Sequence, residues 1–263
     1  MSAPAARPDR RGPVALFVTC LVDLFRPSVG FAAVTLLRRA GCEVVVPAHQ
    51  TCCGQPAYNS GDYRRARAVA RVMVERLEPY ADVVVPSGSC AGMLRHHWPR
   101  LFEEDTRWRE RARAVGGRAR ELTSLLDEVG TSGGGPLARY PHRVAYHDSC
   151  ASLRELGVHA EPRRLLDAVE GLERCELDDP ESCCGFGGTF CVKYPEISTR
   201  MISDKVASLT RSGAHTLAGN DLGCLLHIAG RITRLNHDVR VLHVAELLAG
   251  GEARAIGEGE RRP

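Results

Sequence analysis

Eight of the eleven cysteines fall into two copies of one frame. The first copy is Cys20, the adjacent pair Cys52 and Cys53, then Cys90. The second is Cys150, the pair Cys183 and Cys184, then Cys224. Matched positions are offset by 130, 131, 131 and 134 residues, and a glycine follows each pair, in TCCGQ and in SCCGFGG. Thiolates are soft ligands, and iron–sulfur cubanes are usually held by four of them. Each copy offers four, so the frame predicts one or two iron–sulfur clusters per chain, of the [4Fe–4S] kind. Structural zinc is the rival reading, but its sites usually combine C-x-x-C pairs, and the chain has none. A reactive nucleophile and a set of buried inert thiols complete the range of readings.

Neighbouring cysteines in a regular strand point to opposite faces, so both reach one cluster only from a bent loop. Gly54 and Gly185 supply that bend, because glycine tolerates positive φ. The run Gly185-Phe186-Gly187-Gly188 would expose backbone N–H groups to cluster sulfurs, which raises a reduction potential. Met93 and His227 each stand three residues after the last cysteine of a copy and are further candidate ligands. His147 is a candidate hydrogen-bond donor just outside the ligand set. Cys42 and Cys175 read as buried small hydrophobes, and Cys191 as a neighbour of the second site. Asp148 and Ser149 read as helix caps before Cys150, with Asp221 similar before Cys224. His96, His97 and Trp98 read as a helix surface. The arginines at 107, 109, 111 and 113, beside Glu103, Glu104 and Asp105, read as a solvated mixed-charge helix. A phosphate loop at 185–188 is disfavoured, since no Lys-Ser/Thr follows.

These ligands need elements to hold them. Short apolar runs at 14–19, 44–46 and 83–85 have strand length, and 29–40 and 63–77 have helical spacing. A charged helical region covers about 100–129. The order then repeats, with strands at 144–146, 174–177, 216–218 and 239–243 and helices at 162–170, 197–212 and 244–248. The fold class is therefore α/β, in two pseudo-repeated strand–helix–strand halves with mainly parallel sheets. The cysteines fall at the carboxyl ends of strands, where sites collect in open α/β sheets. The halves are 13–130 and 143–249, joined by a Gly/Pro-rich linker at 131–142. A disordered start at 1–12 and a loose tail at 250–263 are expected at the ends.

With 263 residues the chain can bury a substantial core. Hydrophobic residues make up 44% and charged residues 25%, a globular composition, and a net charge of +3 does not mark a nucleic-acid binder. The basic start and apolar run near residue 14 loosely mimic a signal peptide, but Asp23 and Arg26 close the run and no cleavage site follows. No segment reaches the roughly 20 apolar residues of a transmembrane helix. A cytoplasmic location is expected, where thiols stay reduced and cysteine-rich frames do metal or redox work.

Several stretches resemble known proteins. The duplicated CCG frame is similar to the cysteine-rich domain shared by the B subunit of heterodisulfide reductase, the glycolate oxidase iron–sulfur subunit and the anaerobic glycerol-3-phosphate dehydrogenase C subunit. Closer still, QTCCGQPAYNSG at 50–61, PSGSCAGM at 86–93, HDSC at 147–150, CCGFGGTF from 183 and VKYPEIS to 198 resemble the lactate utilization protein A family. The similarity runs from about residue 14 to 248. It implies an iron–sulfur electron-transfer subunit in the oxidation of L-lactate to pyruvate. It also implies two partners, an iron–sulfur B component and a third, C component. The eight framed cysteines match the family's two motifs. Met93 and His227 stand where heterodisulfide reductase has a fifth cysteine in each motif, so ordinary [4Fe–4S] clusters are expected rather than that family's noncubane type. Ala151 stands where a histidine often follows HDSC.

A redox subunit is thus the leading expectation. No flavin or nicotinamide fingerprint occurs, so the chain is not expected to oxidise lactate alone. The competing expectations are a thiol/disulfide reductase subunit, an iron–sulfur subunit for another 2-hydroxy acid such as glycolate, and a metal-stabilised scaffold without redox chemistry.

Overall fold

The structure, a computed structural model, describes residues 13–130, 137–250 and 254–258. The start at 1–12, half of the linker (131–136) and much of the tail lie outside the described residues. The first half runs β1 (Val14–Leu16), α1 (Cys20–Phe25), α2 (Pro27–Arg39), β2 (Val44–Val45), α3 (Gln55–Asn59), α4 (Tyr63–Leu77), β3 (Asp82–Val85) and α5 (Gly88–Gly92). A π-helical turn (Met93–His97) then leads to α6 (Trp98–Leu101), α7 (Thr106–Gly117), β4 (Ala119–Glu121) and α8 (Leu122–Val129). The second half runs β5 (Arg143–His147), α9 (Cys150–Arg154), α10 (Ala160–Asp167), β6 (Glu173–Cys175), α11 (Phe190–Lys193) and α12 (Pro195–Arg211). It closes with β7 (Thr216–Gly219), α13 (Leu222–Arg234), β8 (Arg240–His243) and α14 (Val244–Ala249).

Each half builds a four-stranded, all-parallel sheet, in the order β2-β1-β3-β4 and β6-β5-β7-β8. The repeat expected from the cysteine frame is therefore a repeat of topology. In both sheets the strand order reverses beside the first strand of the half, between β1 and β3 and between β5 and β7. Ligands bind at such switch points, in the crevice outside the carboxyl ends of the strands.

The central strands are short and apolar because helices cover both faces. Val14, Leu16, Val84, Val144, Leu217 and Val241 share one core that runs across both halves. A second core lies wholly in the first half, around Phe17, Met73, Val83 and Trp98. α2 packs against α14, and α8 against α10. α5 meets α9 so closely that a Cβ on Gly88 would stand 1.7 Å from Ser152 Oγ, which only glycine permits.

Two readings, one within the charged region and one just before it, differ from the structure. β4 lies within it as an edge strand, although Ala-Arg-Glu has no β-branched residue. Trp98, expected on a helix surface, is fully buried. Of the C-terminal segment, Ala255 and Ile256 are buried, and the Ile256 N–H donates to the Val241 carbonyl at 2.8 Å.

Candidate metal centres

The chain turns sharply after β1. Thr19 has φ 76°, and α1 begins at Cys20. The Gln50 side chain ties the next cysteine loop to this strand: its Oε1 accepts from the Val18 N–H and its Nε2 donates to the Leu16 carbonyl, both at 2.9 Å. Cys52 and Cys53 follow, and Gly54 at φ 89° ends the loop. Cys90 lies in the first turn of α5, where its N–H donates to the capping Ser87 hydroxyl at 3.3 Å. Trp98 supports the group from below, donating its indole N–H to the Cys53 carbonyl at 2.8 Å.

The second group repeats this construction. Ser149 caps α9, so Cys150 opens a helix as Cys20 does. Cys183 and Cys184 precede Gly185 at φ 76°. Cys224 lies in the first turn of α13. Four of the eight thiols thus sit in the first turn of a helix. In each loop a glycine N–H also points at the first sulfur of the pair, Gly54 to Cys52 Sγ at 3.4 Å and Gly185 to Cys183 Sγ at 3.3 Å.

The thiols of each group bond to one another, and this polarises them. Cys52 is pulled down to about 3, chiefly because Cys20 and then Cys53 donate to it. Cys20 and Cys53 are pushed up by the same bonds and by burial. Cys183 is pulled down to about 2 by donation from Cys150 and Cys184, and those two are pushed up in turn. Each group therefore favours the charged form at the first sulfur of its pair, and binding a metal would release the protons its thiols hold. None of the eleven cysteines is joined in a disulfide, so no disulfide competes for the eight.

All eight framed cysteines line one cleft of about 540 Å³ between the halves. Asp221 bridges its floor. Its carboxylate accepts from the Ser87 and Ser89 hydroxyls at 3.1 and 2.8 Å and from the Ser89 N–H at 2.8 Å. The expected helix cap is not made: the Asp221 side chain spans the two halves instead. A larger open groove of about 720 Å³, lined by Phe25, Phe31, Arg39 and Glu246, contains no thiol.

His147 enters the second group. One of its ring nitrogens and the Cys184 and Cys224 sulfurs all lie within 4.8 Å of one another. The ring is buried, neither nitrogen has a hydrogen-bond partner among the described residues, and burial pulls its pKa down to about 3. His227 contacts Ser198 Oγ at 3.2 Å, and that hydroxyl donates to the Gly185 carbonyl at 2.8 Å. It thereby braces the loop. Met93 lies in the first half's core, away from the cleft. Gly187 and Gly188 line the cleft with positive φ. Cys191 donates to the Gly188 carbonyl at 3.3 Å, and Cys42 and Cys175 are buried in the core. Asp148 is not a cap but a buried partner of Arg163, with contacts of 3.0 and 2.8 Å.

Sequence reasoning misses Lys205. It is buried on α12, and its Nζ donates to the Asp179 and Pro180 carbonyls at 3.0 and 3.3 Å, just before Cys183. A lysine among Ile202, Val206 and Leu209 on an apolar helical face is the signal that could have found it.

The donor set suits an iron–sulfur cluster: four thiols per group, N–H groups aimed at sulfur, and a buried imidazole with no partner among the described residues. The cysteine-rich domain known as CCG matches residues 14–95 and 144–229, one copy in each half. Lactate utilization protein A of Exiguobacterium sp. (strain ATCC BAA-1283 / AT1b) is 46% identical over 246 residues, spanning 92% of this chain and 99% of that protein. Lactate utilization protein A of Bacillus subtilis (strain 168) is 45% identical over 236 residues, spanning 89% and 98%. A hypothetical protein from Helicobacter pylori shares the fold, with a TM-score of 0.60 at 11% identity over 92% of this chain and 49% of that one. On two domain copies and near-complete alignment with these relatives, the chain belongs to the lactate utilization protein A family.

Proposed function

We propose that this protein is the iron–sulfur electron-transfer subunit of a multi-component system that oxidises L-lactate to pyruvate. The observation that carries the reading is the opening of two four-thiol groups, built alike, onto a single cleft. Cys20, Cys52, Cys53 and Cys90 would hold one centre, and Cys150, Cys183, Cys184 and Cys224 the other. Such clusters, when bound, supply one-electron transfer at potentials set by their surroundings.

The chain's own residues do the rest. The helix starts at Cys20, Cys90, Cys150 and Cys224 favour an anionic occupant. Gly54 and Gly185 turn both members of each pair toward one point, and their N–H groups temper the sulfur charge. Trp98, Gln50 and His227 hold the loops rigid, which keeps reorganisation small. Lactate oxidation itself falls to the partner proteins, the iron–sulfur B component and the third, C component, because this chain has no flavin or nicotinamide fingerprint.

The test is iron and acid-labile sulfide on anaerobically purified protein, with EPR before and after dithionite. Roughly four irons per chain indicates one cubane and roughly eight indicates two. Cys53→Ser should remove the signal of the first half, and Cys184→Ser that of the second. No iron after reconstitution, or zinc in its place, overturns the reading in favour of a scaffold.

The shared cleft favours one second reading, a thiol/disulfide reductase in which a small disulfide enters between the two groups. It requires reduced protein to be reoxidised by disulfides, which an electron-transfer subunit does not need.

A further inference from the structure

The two centres are alike in ligands and unlike in surroundings. Phe17 and His147 stand three residues before the lead cysteines, and both are buried. Ala66 and Ser198 are the residues of α4 and α12 whose carbonyls face Gly54 and Gly185. Seven residues on, one helix carries Met73 and the other Lys205, both buried. These two do the same job. Met73 Sδ accepts from the Thr51 N–H at 3.2 Å, and Lys205 donates to the Asp179 and Pro180 carbonyls, so each anchors the loop that leads into its cysteine pair. Met93 and His227 form the fourth pair. At all four positions the first half is apolar and the second polar.

We propose that the second half holds the centre of higher reduction potential, and that Lys205 and His147 set that order. The inference rests on the iron–sulfur reading above. Reduction adds a negative charge to an already anionic centre. In the first half Gln55, Tyr58 and His97 line the cleft, but the core behind Cys53 and Cys90 is built of Phe17, Met73, Met93 and Trp98, and among the described residues that half buries no lysine or arginine. In the second, Lys205 Nζ is buried beside the ligand loop; burial disfavours its charge, while Asp179 and Cys184 favour it. An imidazole N–H can meet the cluster, since both His147 nitrogens lack another partner among the described residues. Nearby cations and hydrogen bonds to sulfur both favour the reduced state.

The acidic neighbours do not reverse the order. Asp148 is paired with Arg163. Asp179 is exposed, so solvent screens its side chain. Asp221 sits between the two halves and acts on both centres. The order makes the pair directional: when the first centre gives up one electron and the second takes it, the transfer runs downhill.

The experiment is an EPR-monitored redox titration of the full chain, with signals assigned through Cys53→Ser and Cys184→Ser. In the wild type, the signal lost in Cys184→Ser should appear at the higher potential. Lys205→Met and His147→Phe each install the residue used by the first half. Each should shift the higher potential downward and leave the other potential unchanged, read on the fraction of protein that retains both clusters. The imidazole nitrogen coupling in pulsed EPR of the second signal should disappear in His147→Phe, leaving that of the peptide N–H groups. Equal or reversed potentials in the wild type overturn the inference and leave the iron–sulfur reading standing. So do unshifted potentials in both variants with clusters intact. A second half without any cluster overturns both.

Discussion

Gly185 illustrates how much a single position can decide. Its φ is 76°, and a Cβ there would stand 2.9 Å from the Ser198 carbonyl oxygen, whereas the equivalent atom on Gly54 would stand 3.4 Å from the Ala66 carbonyl. Both substitutions carry the strain of a left-handed conformation, but only the first adds a hard backbone collision. Gly185→Ala should therefore destabilise the chain by about 1–3 kcal/mol, more than Gly54→Ala does. Urea denaturation of the two variants measures the difference, and equal losses would remove the steric explanation. The same loop shows what a residue type reveals in advance. Glycine after a cysteine pair has few other uses, so the bend is legible in the sequence. The neighbour on α12 that makes it obligatory is not, because that contact depends on where the helix packs.

Among the elements, β4 and α8 meet at Glu121, a buried carboxylate that caps the helix. Its Oε2 accepts from the N–H groups of Thr123 and Ser124 at 2.7 and 3.1 Å. Burial pushes its pKa up from 4.5 to about 7. Between those values the folded chain holds a proton that the unfolded chain has released. Its contribution is therefore complete below about 4.5 and is lost as pH rises through 7. His243, at the start of α14, acts in the opposite sense. Its Nδ1 accepts from the Ala245 N–H and its Nε2 donates to the Pro86 carbonyl, each at 3.2 Å, and burial pulls its pKa down to about 4. Its contribution is present above 6.5 and is lost as pH falls through 4. Glu121→Gln keeps the cap and removes the titration. Its stability relative to wild type should rise by roughly 3 kcal/mol between pH 4.5 and pH 8, seen in denaturation at both pH values. A constant difference across that range would show that Glu121 ionises normally. β4 itself is hidden in the sequence because three residues on a sheet edge carry too little pattern to separate from the flanking helices.

At the scale of the whole molecule, a buried polar seam joins the halves. Asp221 of the second half accepts three hydrogen bonds from Ser87 and Ser89 of the first. The Ser152 hydroxyl, which faces Gly88 of the first half, donates to Asn220 Oδ1 within the second at 3.0 Å. Asp221→Ala leaves those donors without their acceptor and should destabilise the chain by about 3 kcal/mol. Because the carboxylate lies between both thiol groups, iron retention should fall in both centres together, checked by iron content and by the two EPR signals. Loss from the second alone would show that the halves are not coupled through this residue. By itself, the sequence determined the ligand types, their duplication, the bend after each pair and the alternation of strands and helices. Those features are local or periodic, and thiol chemistry has few competing explanations. Only the tertiary structure decided that all eight thiols open onto one cleft, that His147 faces the second group, that Trp98 supports the first, and that Lys205 is buried beside the second ligand loop. Each of these joins residues far apart in the chain. Convergence at that separation is set by sheet register and helix packing, which no short stretch of sequence contains.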